Sequence, residues 1–516
     1  MLTLPILTAE QMRQWEEDSW KEGISQMEVI RTVGEEIADC LFQTIYDHVK
    51  DCYATLVENN PEKLEEGVEQ VMQMQQILVL VGPGHNGDDA RVAANFLRKK
   101  LKDVQILEVK DPKKALRAFK KLVAHHNELF DPMIISSEFN PTFIVDGMFG
   151  IGLNRPLSQD YVDLINAVNN CGIPIFAVDV PSGLNDEGMP WPAAVKAHYT
   201  MAVGTLKRGL MCGEASRYVG QIGVIEDIGL IPDMPVADFE WIQSVSCAEA
   251  VDLKRLADCH KGDFGHTLIL AGSLGYHGAA VLAAKAAVAA KPGLITVCTM
   301  PEIYIPVASH LITQMVHPWS PEWQMPKGIT SILVGPGLAA SNIPDSFWDW
   351  VRDLWRNFPG NMIADASALD HIPDGKSAGV RVITPHPGEA ARCLNITAKE
   401  VQADRQGALR KLSEKYGDAY VVLKGYQTLI GTAKGKIYLN HTGNPAMAQG
   451  GTGDVLAGFL SGLFAYNYIC EEPIDNIERI CYAVYSHGKA ADDIESEKLS
   501  PFEVHPWTAD RLIEYL

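Results

Sequence analysis

The sequence predicts an α/β protein of two domains, and three observations carry that prediction. Short apolar runs recur along the chain, each followed by a Gly-rich loop and a stretch of helical spacing, which is the order of a parallel sheet covered by helices. At 516 residues the chain is too long for one ordinary core. Near its middle the Pro-punctuated segment IPDMPVADFEWIQS breaks the alternation and reads as a linker. The boundary is expected near Asp238, dividing the chain into 1–238 and 239–516.

Hydrophobic residues make up 47% and charged residues 21%, the balance of a globular protein folded throughout. Lys and Arg number 44 against 65 Asp and Glu, a formal charge of −21. That excess excludes a general affinity for nucleic acid or anionic membrane, so any phosphate must be held locally. The ten cysteines form neither a CxxC pair nor a His/Cys cluster at zinc-finger spacing, and reduced thiols are expected. The start, MLTLPILTAEQMRQWEED, turns charged too early for a secretory signal, and no window is long and apolar enough to span a bilayer. A soluble, cytoplasmic protein is expected.

Taken in order, Thr8–Tyr53 places Met12, Trp15, Trp20, Ile37, Leu41 and Ile45 at helical spacing, which predicts two packed helices before any strand. Leu56–Gln75, rich in Glu and Gln with sparse apolar positions, predicts a solvated helix or an insertion. Ile77–Val81 then runs into GPGHNGDDARVAANFLRKK. Val104–Val109, Phe143–Val145 before DGMFGIGLNRP and Pro174–Val178 before DVPSGLNDEG repeat the pattern. Up to about Gly229 this predicts a doubly wound, Rossmann-like sheet with four loops converging on one edge. After Ala250 a second series follows: HTLILAG, GLITVCT, SILVGPGLAAS, GNMIADASAL, VRVITPHPGEA, AYVVLKGYQTLI and GKIYLN, closing on HTGNPAMAQGGTGDVLAGFL. No fixed-period repeat relates the halves, so two different folds and two sites are expected.

In the closing stretch, Gly450, Gly451 and Gly453 free the backbone to turn its N–H groups toward an anion, just before the apolar run of Val455, Leu456, Phe459 and Leu460. Asp454 at that helix start suits a base or a metal contact in phosphoryl chemistry, or, in the plainer reading, a helix cap. His386 stands between two prolines in TPHPGE, and Lys424 in VVLKGYQT has Gly425 and Thr428 beyond it, a cation, free backbone and hydroxyl able to meet a nucleotide phosphate. In the first domain Asn86, Asp89, Asp146, Asp179 and Ser182 fall at strand ends, where oxygen-bearing groups can face a ligand or a hard monovalent cation. The same residue types also punctuate ordinary turns.

Together these motifs resemble the bifunctional NAD(P)H-hydrate repair enzymes, in which an epimerase domain precedes an ADP-dependent dehydratase domain. HKGDFGHTLILAGSLGYHGAA, LVGPGLA, TPHPGEAARCL, VVLKGYQTLI and NPAMAQGGTGDVLAG are similar to the dehydratase in order and spacing. ILTAEQM, GPGHNGDDARVAANFL, VDGMFGIGLNRPL and DVPSG are similar to the epimerase. The resemblance covers nearly the whole chain and implies a Rossmann-like domain followed by a ribokinase-like α/β domain. It implies that hydrated NADH or NADPH is the substrate and that ADP is the phosphoryl donor, with Mg2+ bridging its phosphates.

The resemblance also implies roles residue by residue. Asp454 becomes the dehydratase base; Lys424, Gly425, Tyr426, Gln427, Thr428 and Gly453 hold the nucleotide; Ala279, Gly337, His386 and Asp454 line the hydrate. In the epimerase, Asn86, Asp146 and Ser182 bind K+, and Asp179 is catalytic and contacts the substrate. Further substrate contacts come from His85, Asn86, Gly87, Asp88 and Asp89, and from the loop Gly150, Ile151, Gly152, Leu153, Asn154, Arg155 and Pro156. The family's catalytic lysine follows the second strand, where Lys110, Lys113 and Lys114 are equal candidates. A homo-oligomer is expected. HNGDDA stands where the family has NNGGDG, bringing an Asp88 carboxylate beside a diphosphate, and TVG replaces NAG at Thr32–Gly34; weakened epimerisation is the expected consequence. The alternative is a ribokinase-like kinase of a small metabolite fused to a non-catalytic Rossmann-like binding module.

Overall fold

The computed structural model describes residues 1–54, 61–124, 139–212, 214–244, 259–466, 475–496 and 507–516. The chain divides into two compact units, Pro5–Ala237, and Asp238–Leu516 together with Met1–Leu4. Both are α/β. No helix among the described residues is long and apolar enough to cross a membrane.

In the first unit six parallel strands stand in the order Asp103–Glu108, Gln76–Val81, Phe143–Gly147, Ile175–Val178, Tyr199–Val203, Gln221–Ile225. The central strand is apolar without alternation because both of its faces are covered. Ile77, Val79 and Val81 enter one core, with Ile37, Leu41 and Ile45 of the helix Gln26–Ala54. Leu78 and Leu80 enter the other, with Phe119, Leu164 and Ile165. The strand order turns outward in both directions from Gln76–Val81 and Phe143–Gly147, and the crevice at such a switch point is where doubly wound sheets bind ligands.

Three expectations for this half need correction. A strand, Leu2–Leu7, precedes the two helices; its Ile6 and Leu7 pair in parallel with Leu206 and Lys207, which satisfies backbone groups that helical periodicity cannot report. The helix Pro61–Gln73 is not a purely solvated feature, since Val68 and Met72 are buried in the same core as Ile37. Residues 56–60 of that stretch lie outside the described residues. Finally, the linker is shorter than IPDMPVADFEWIQS, because Phe239–Ser244 is a strand that pairs in parallel with Ile437–Asn440.

The second unit carries strands in the order Met315–Pro318, Leu294–Thr299, His266–Leu270, Ser331–Val334, Asn361–Ala364, Arg381–Ile383, Tyr420–Leu423, Thr428–Gly431, Ile437–Asn440, Phe239–Ser244. All neighbours are parallel except the two pairings of Thr428–Gly431, which are antiparallel. Against this sheet the helix Thr452–Ala465 packs on the Ala-rich helix His277–Ala289. The approach is close because small residues face each other. A Cβ at Gly458 would run into the Ala283 carbonyl, and one at Gly462 would lie 2.6 Å from the Ala287 carbonyl. Gly458→Ala should therefore destabilise this unit by about 1–3 kcal/mol through overpacking, reversing the ~1 kcal/mol that alanine ordinarily gains over glycine inside a helix. Urea denaturation of the two proteins checks this; an equal or higher midpoint for the variant contradicts the close packing.

Candidate functional sites

In the second unit the ends of three parallel strands bring a set of charged and polar residues together. Asn361–Ala364 delivers Asp365, Arg381–Ile383 delivers Thr384 and His386, and Tyr420–Leu423 delivers Lys424. Lys424 Nζ donates to Asp365 Oδ1 at 2.8 Å and stands 4.0 Å from Glu389 Oε2. The Thr384 hydroxyl donates to the same Asp365 oxygen at 2.7 Å. A Cβ on Gly453 would lie 3.4 Å from Lys424 Nζ, so the ammonium sits against the Gly-rich turn.

Asp454 occupies the first turn of Thr452–Ala465, whose N-cap is Gly451 at φ 99° with no side-chain cap bond. Asp454 is thus not the N-cap, and free N–H groups of that first turn remain for a ligand. Burial, then the neighbouring Asp365, push its carboxyl up to about 7; Lys424 opposes the rise and Glu389 adds to it. Burial alone lowers the Lys424 ammonium, but Asp365 and Glu389, with Asp454 behind them, outweigh it and hold Lys424 above its ordinary value.

The other expected residues of this unit stand as follows. His386 N-caps the helix Pro387–Leu394: its Nδ1 accepts from Gly388 N–H at 3.0 Å, so Nε2 carries the proton of the neutral ring and lies 3.4 Å from Glu389 Oε1. Gly337, at φ 64°, lies against Tyr276 and Ala279; an added Cβ would come within 2.9 Å of the Ala279 Cβ. The Lys424–Thr428 loop is braced by a residue the motif does not contain. Arg405 donates to the carbonyls of Leu423, Tyr426 and Gln427 at 3.1, 2.7 and 3.0 Å, which supports Gln427 at φ 55° and leaves Tyr426 exposed.

In the first unit, loops at the switch point gather a second set. Asp146 is fully buried; the Ser182 hydroxyl and N–H donate to its two oxygens at 2.6 and 2.8 Å, and Met148 N–H adds a third bond at 3.2 Å. Burial pushes the Asp146 carboxyl up to about 6, with those donors opposing it. Asn86 is buried against Gly147 and Gly150, and its Nδ2 has no hydrogen-bond partner among the described residues. From Gly150 the loop through Ile151, Gly152, Leu153, Asn154, Arg155 and Pro156 runs along the surface, anchored where Arg13 donates to the Ile151 carbonyl at 3.1 Å.

Asp179 follows the strand Ile175–Val178 at φ 65°, a conformation costly for a residue with a Cβ, and Val203 N–H donates to its carboxylate at 3.1 Å. The buried Lys207 donates to the same oxygen and to the Val203 carbonyl. Asp89 and Glu16 join this group. Burial, then Asp179, raise Asp89 well above its ordinary value and Glu16 to about 7, with Lys207 opposing both. His85 meets Gln26 at 2.9 Å, Asp88 is exposed, and Ala90 packs where Gly147 offers no side chain to clash with it. The TVG segment is accommodated too: Thr32 lines a cavity of about 530 Å³ with Glu28 and Arg31. Lys110 is exposed, while Lys113 and Lys114 reach only Asp160 and Asp111 at 3.6 and 3.7 Å.

Sequence reasoning missed Asp365, Glu389 and Arg405 in one unit, and Lys207 and Glu16 in the other. Asp365 ends an apolar run as the recognised aspartates do, a readable signal, whereas Lys207 stands beside Arg208 in VGTLKRGL, where nothing local separates a buried lysine from an exposed arginine. Arg405 and Glu16 lie on helices with nothing local to mark them.

The raised Asp454 carboxyl carries a stability consequence whose sign is fixed. Its ordinary value is 3.8 and its folded value about 7, so between those pH values the folded chain binds the proton more tightly, and ionising Asp454 costs stability as pH rises through that window. Asp454→Asn should therefore be more stable than the parent at pH 8, by on the order of 3 kcal/mol, with the difference shrinking as pH falls toward 4. Urea midpoints at pH 8 and pH 5 measure it, and a gap that is absent or widens on acidification contradicts the burial.

Two family models match the chain: one described as NAD(P)H-hydrate dehydratase, over residues 267–513, and one described as YjeF-related protein N-terminus, over residues 27–209. The bifunctional NAD(P)H-hydrate repair enzyme of Coxiella burnetii is 31% identical over 502 residues, covering 94% of each chain. That of Escherichia coli is 33% identical over 436 residues, covering 80% of each. Among solved structures, the ADP/ATP-dependent NAD(P)H-hydrate dehydratase from Bacillus subtilis, co-crystallised with ATP and Mg2+, is 30% identical, with a TM-score of 0.44 over 51% of this chain and 91% of its own.

Proposed function

We infer the activity from one premise: the chain belongs to the bifunctional NAD(P)H-hydrate repair enzymes. The second unit dehydrates hydrated NAD(P)H with ADP as phosphoryl donor, and the first unit interconverts the R and S hydrates. The observation that supports the dehydratase reading best is the pairing of a free helix N-terminus with Asp454, a carboxyl raised to about 7, beside Lys424.

Each group then has a task. Asp454 takes the proton of the ring hydroxyl as that oxygen attacks the terminal phosphate, and a pKa near the working pH suits a general base. Lys424 and the N–H groups of the Gly451–Gly453 turn stabilise charge on the transferring phosphoryl group. The loop Lys424, Gly425, Tyr426, Gln427 and Thr428, with Gly453, holds the nucleotide, and Arg405 fixes its shape. Ala279, Gly337 and His386 line the hydrate. The phosphorylated hydroxyl leaves as phosphate, pushed by the ring nitrogen, and the iminium so formed gives up a proton from the neighbouring ring carbon to solvent, which restores the ring double bond. A magnesium ion held by nucleotide phosphates needs only one or two protein carboxylates, and Asp365, Glu389 and Asp454 stand around Lys424 to supply them.

In the first unit the oxygens of Asp146, Ser182 and the Phe149 carbonyl would hold a potassium ion, with the Asn86 side chain packed beside them against Gly150, and the clustering of those oxygens around the buried Asp146 is the observation that supports it. Such an ion would fix the substrate loop beside Asp179. The exposure of Asp88 keeps its charge in high dielectric, and Ala90 fits against Gly147, so epimerisation is retained despite HNGDDA.

Two measurements test these assignments. Asp454→Asn should lower ADP-dependent dehydration by roughly 10²–10⁴ while nucleotide affinity stays within a few-fold. A stable phosphorylated metabolite, or no ADP consumed in the presence of hydrate, would put a small-metabolite kinase in its place. For the cation, replacing choline chloride with KCl should raise the melting midpoint of the protein by a few degrees, about the effect of 1–2 kcal/mol of ligand binding, and Asp146→Asn should abolish the response. Identical midpoints in the two salts refute the potassium site.

A further inference from the structure

The first unit contains a buried lysine that no motif identifies, and it lies on the aspartate assigned to epimerisation. Lys207 is 2% exposed, and its ammonium donates both to Asp179 Oδ1 and to the Val203 carbonyl. It is placed there by the short strand Leu206–Lys207, whose parallel pairing with Ile6 and Leu7 holds the lysine's backbone. Asp179 itself sits at φ 65° and is held on its other side by Val203 N–H. A buried ammonium held by two acceptors, and a strained carboxylate held by two donors, form a single rigid arrangement.

We propose that Lys207 is a positioning residue of the epimerase: it fixes the Asp179 carboxylate at the end of its strand, against the Val203 N–H. The inference rests on the epimerase reading given above. Lys207 is shut away from solvent and from anything entering the crevice, so it acts through Asp179 rather than on the substrate.

The cluster explains why one cation is required. Glu16 from the first helix, Asp89 from the helix His85–Leu97 and Asp179 all act on one another electrostatically, and with Lys207 they would carry a net charge of −2 if every group were ionised. Arg13 and Asp88 are the other charged groups acting on this cluster. Burial shifts Asp89 and Glu16 toward their protonated forms, while Lys207 pairs directly with Asp179. One proton acceptor and protonated donors then stand side by side. Changing the configuration of a hydroxyl-bearing carbon requires that combination, because each proton taken from the substrate must be matched by one returned. Without Lys207, only the Val203 N–H bond is left among the described contacts to hold the Asp179 carboxylate. The exposed lysines after the second strand pair with Asp160 and Asp111 and do not reach Asp179.

The test uses the full-length chain, the R hydrate of NADH, and chromatographic separation of the epimers without ADP. Lys207→Met should lower kcat for epimerisation by about tenfold to a hundredfold with KM within a few-fold, the usual cost of losing a group that orients a catalytic side chain. Lys207→Arg should recover part of that loss, because it keeps the cation. In an Asp179→Asn background, Lys207→Met should cause no further loss. That double variant removes both buried charges together, so it remains measurable even if the single methionine variant misfolds. Dehydration of the S hydrate with ADP, which belongs to the other unit, reports that each preparation is intact. A normal kcat in Lys207→Met, a rise confined to KM, or an equal further loss in the Asp179→Asn background overturns the proposal. Parent protein that does not epimerise at all refutes the epimerase reading instead.

Discussion

A carboxylate buried at the end of a parallel strand is unstable unless a cation or a set of N–H donors meets it, and both sites of this chain are solutions to that constraint. In the second unit Lys424 meets Asp365, and Thr384 adds a hydroxyl. In the first, Lys207 meets Asp179 and Val203 adds an N–H, while Asp146 has three donors and, among the described residues, no lysine or arginine paired with it. Each lysine supplies one positive charge to more than one carboxyl, so some carboxyl in each group is pushed above its ordinary pKa. Those are Asp454 in one unit and Asp89 and Glu16 in the other. The group that exchanges a proton at working pH is therefore set by where the fold runs out of cations.

The position of Asp454 depends in turn on backbone packing well away from the chemistry. Its helix lies against His277–Ala289 at the distance allowed by Gly458 and Gly462 opposite alanines. That contact sets the height at which the first turn meets Lys424. The apolar cluster behind it, with Ile269, Leu333, Ile363, Val382 and Val422 from successive strands, fixes the sheet against the same helix. A base held on a helix packed this tightly can be buried and raised in pKa without drifting away from its partners.

How much of this was legible follows from the reach of each signal. Strands buried on both faces show as continuous apolar runs, so Gln76–Val81, Phe143–Gly147, His266–Leu270 and Ser331–Val334 could be read locally, together with the loop residues they deliver. The strand Leu2–Leu7 could not, because its partners Leu206 and Lys207 are two hundred residues away. The Pro-rich stretch before Phe239–Ser244 drew attention away from a strand whose partner, Ile437–Asn440, is equally remote. The sites divide in the same way. Asp454, Lys424, Asp146 and Asp179 stand in motifs with a local backbone reason. Arg405 acts on three carbonyls of a loop some twenty residues on, and Glu16 acts from a helix far from the switch point in sequence. Residues that tune a site across the fold leave no local trace.

The geometry alone serves two chemistries in the second unit. A helix N-terminus, a lysine and a carboxyl near pH 7 would phosphorylate any well-placed hydroxyl, and a stable phosphate ester would then be the product. What separates repair from kinase activity is the fate of that ester, which depends on whether the substrate ring can expel it. The nitrogen of a hydrated nicotinamide can, because it is bonded to the carbon that bears the oxygen and its lone pair can form an iminium as the C–O bond breaks, whereas an ordinary metabolite alcohol has no such electrons to offer. The protein's part is therefore the same up to phosphoryl transfer, and the elimination belongs to the substrate. Membership of the repair family selects the substrate, and the site needs no additional acid to finish the reaction.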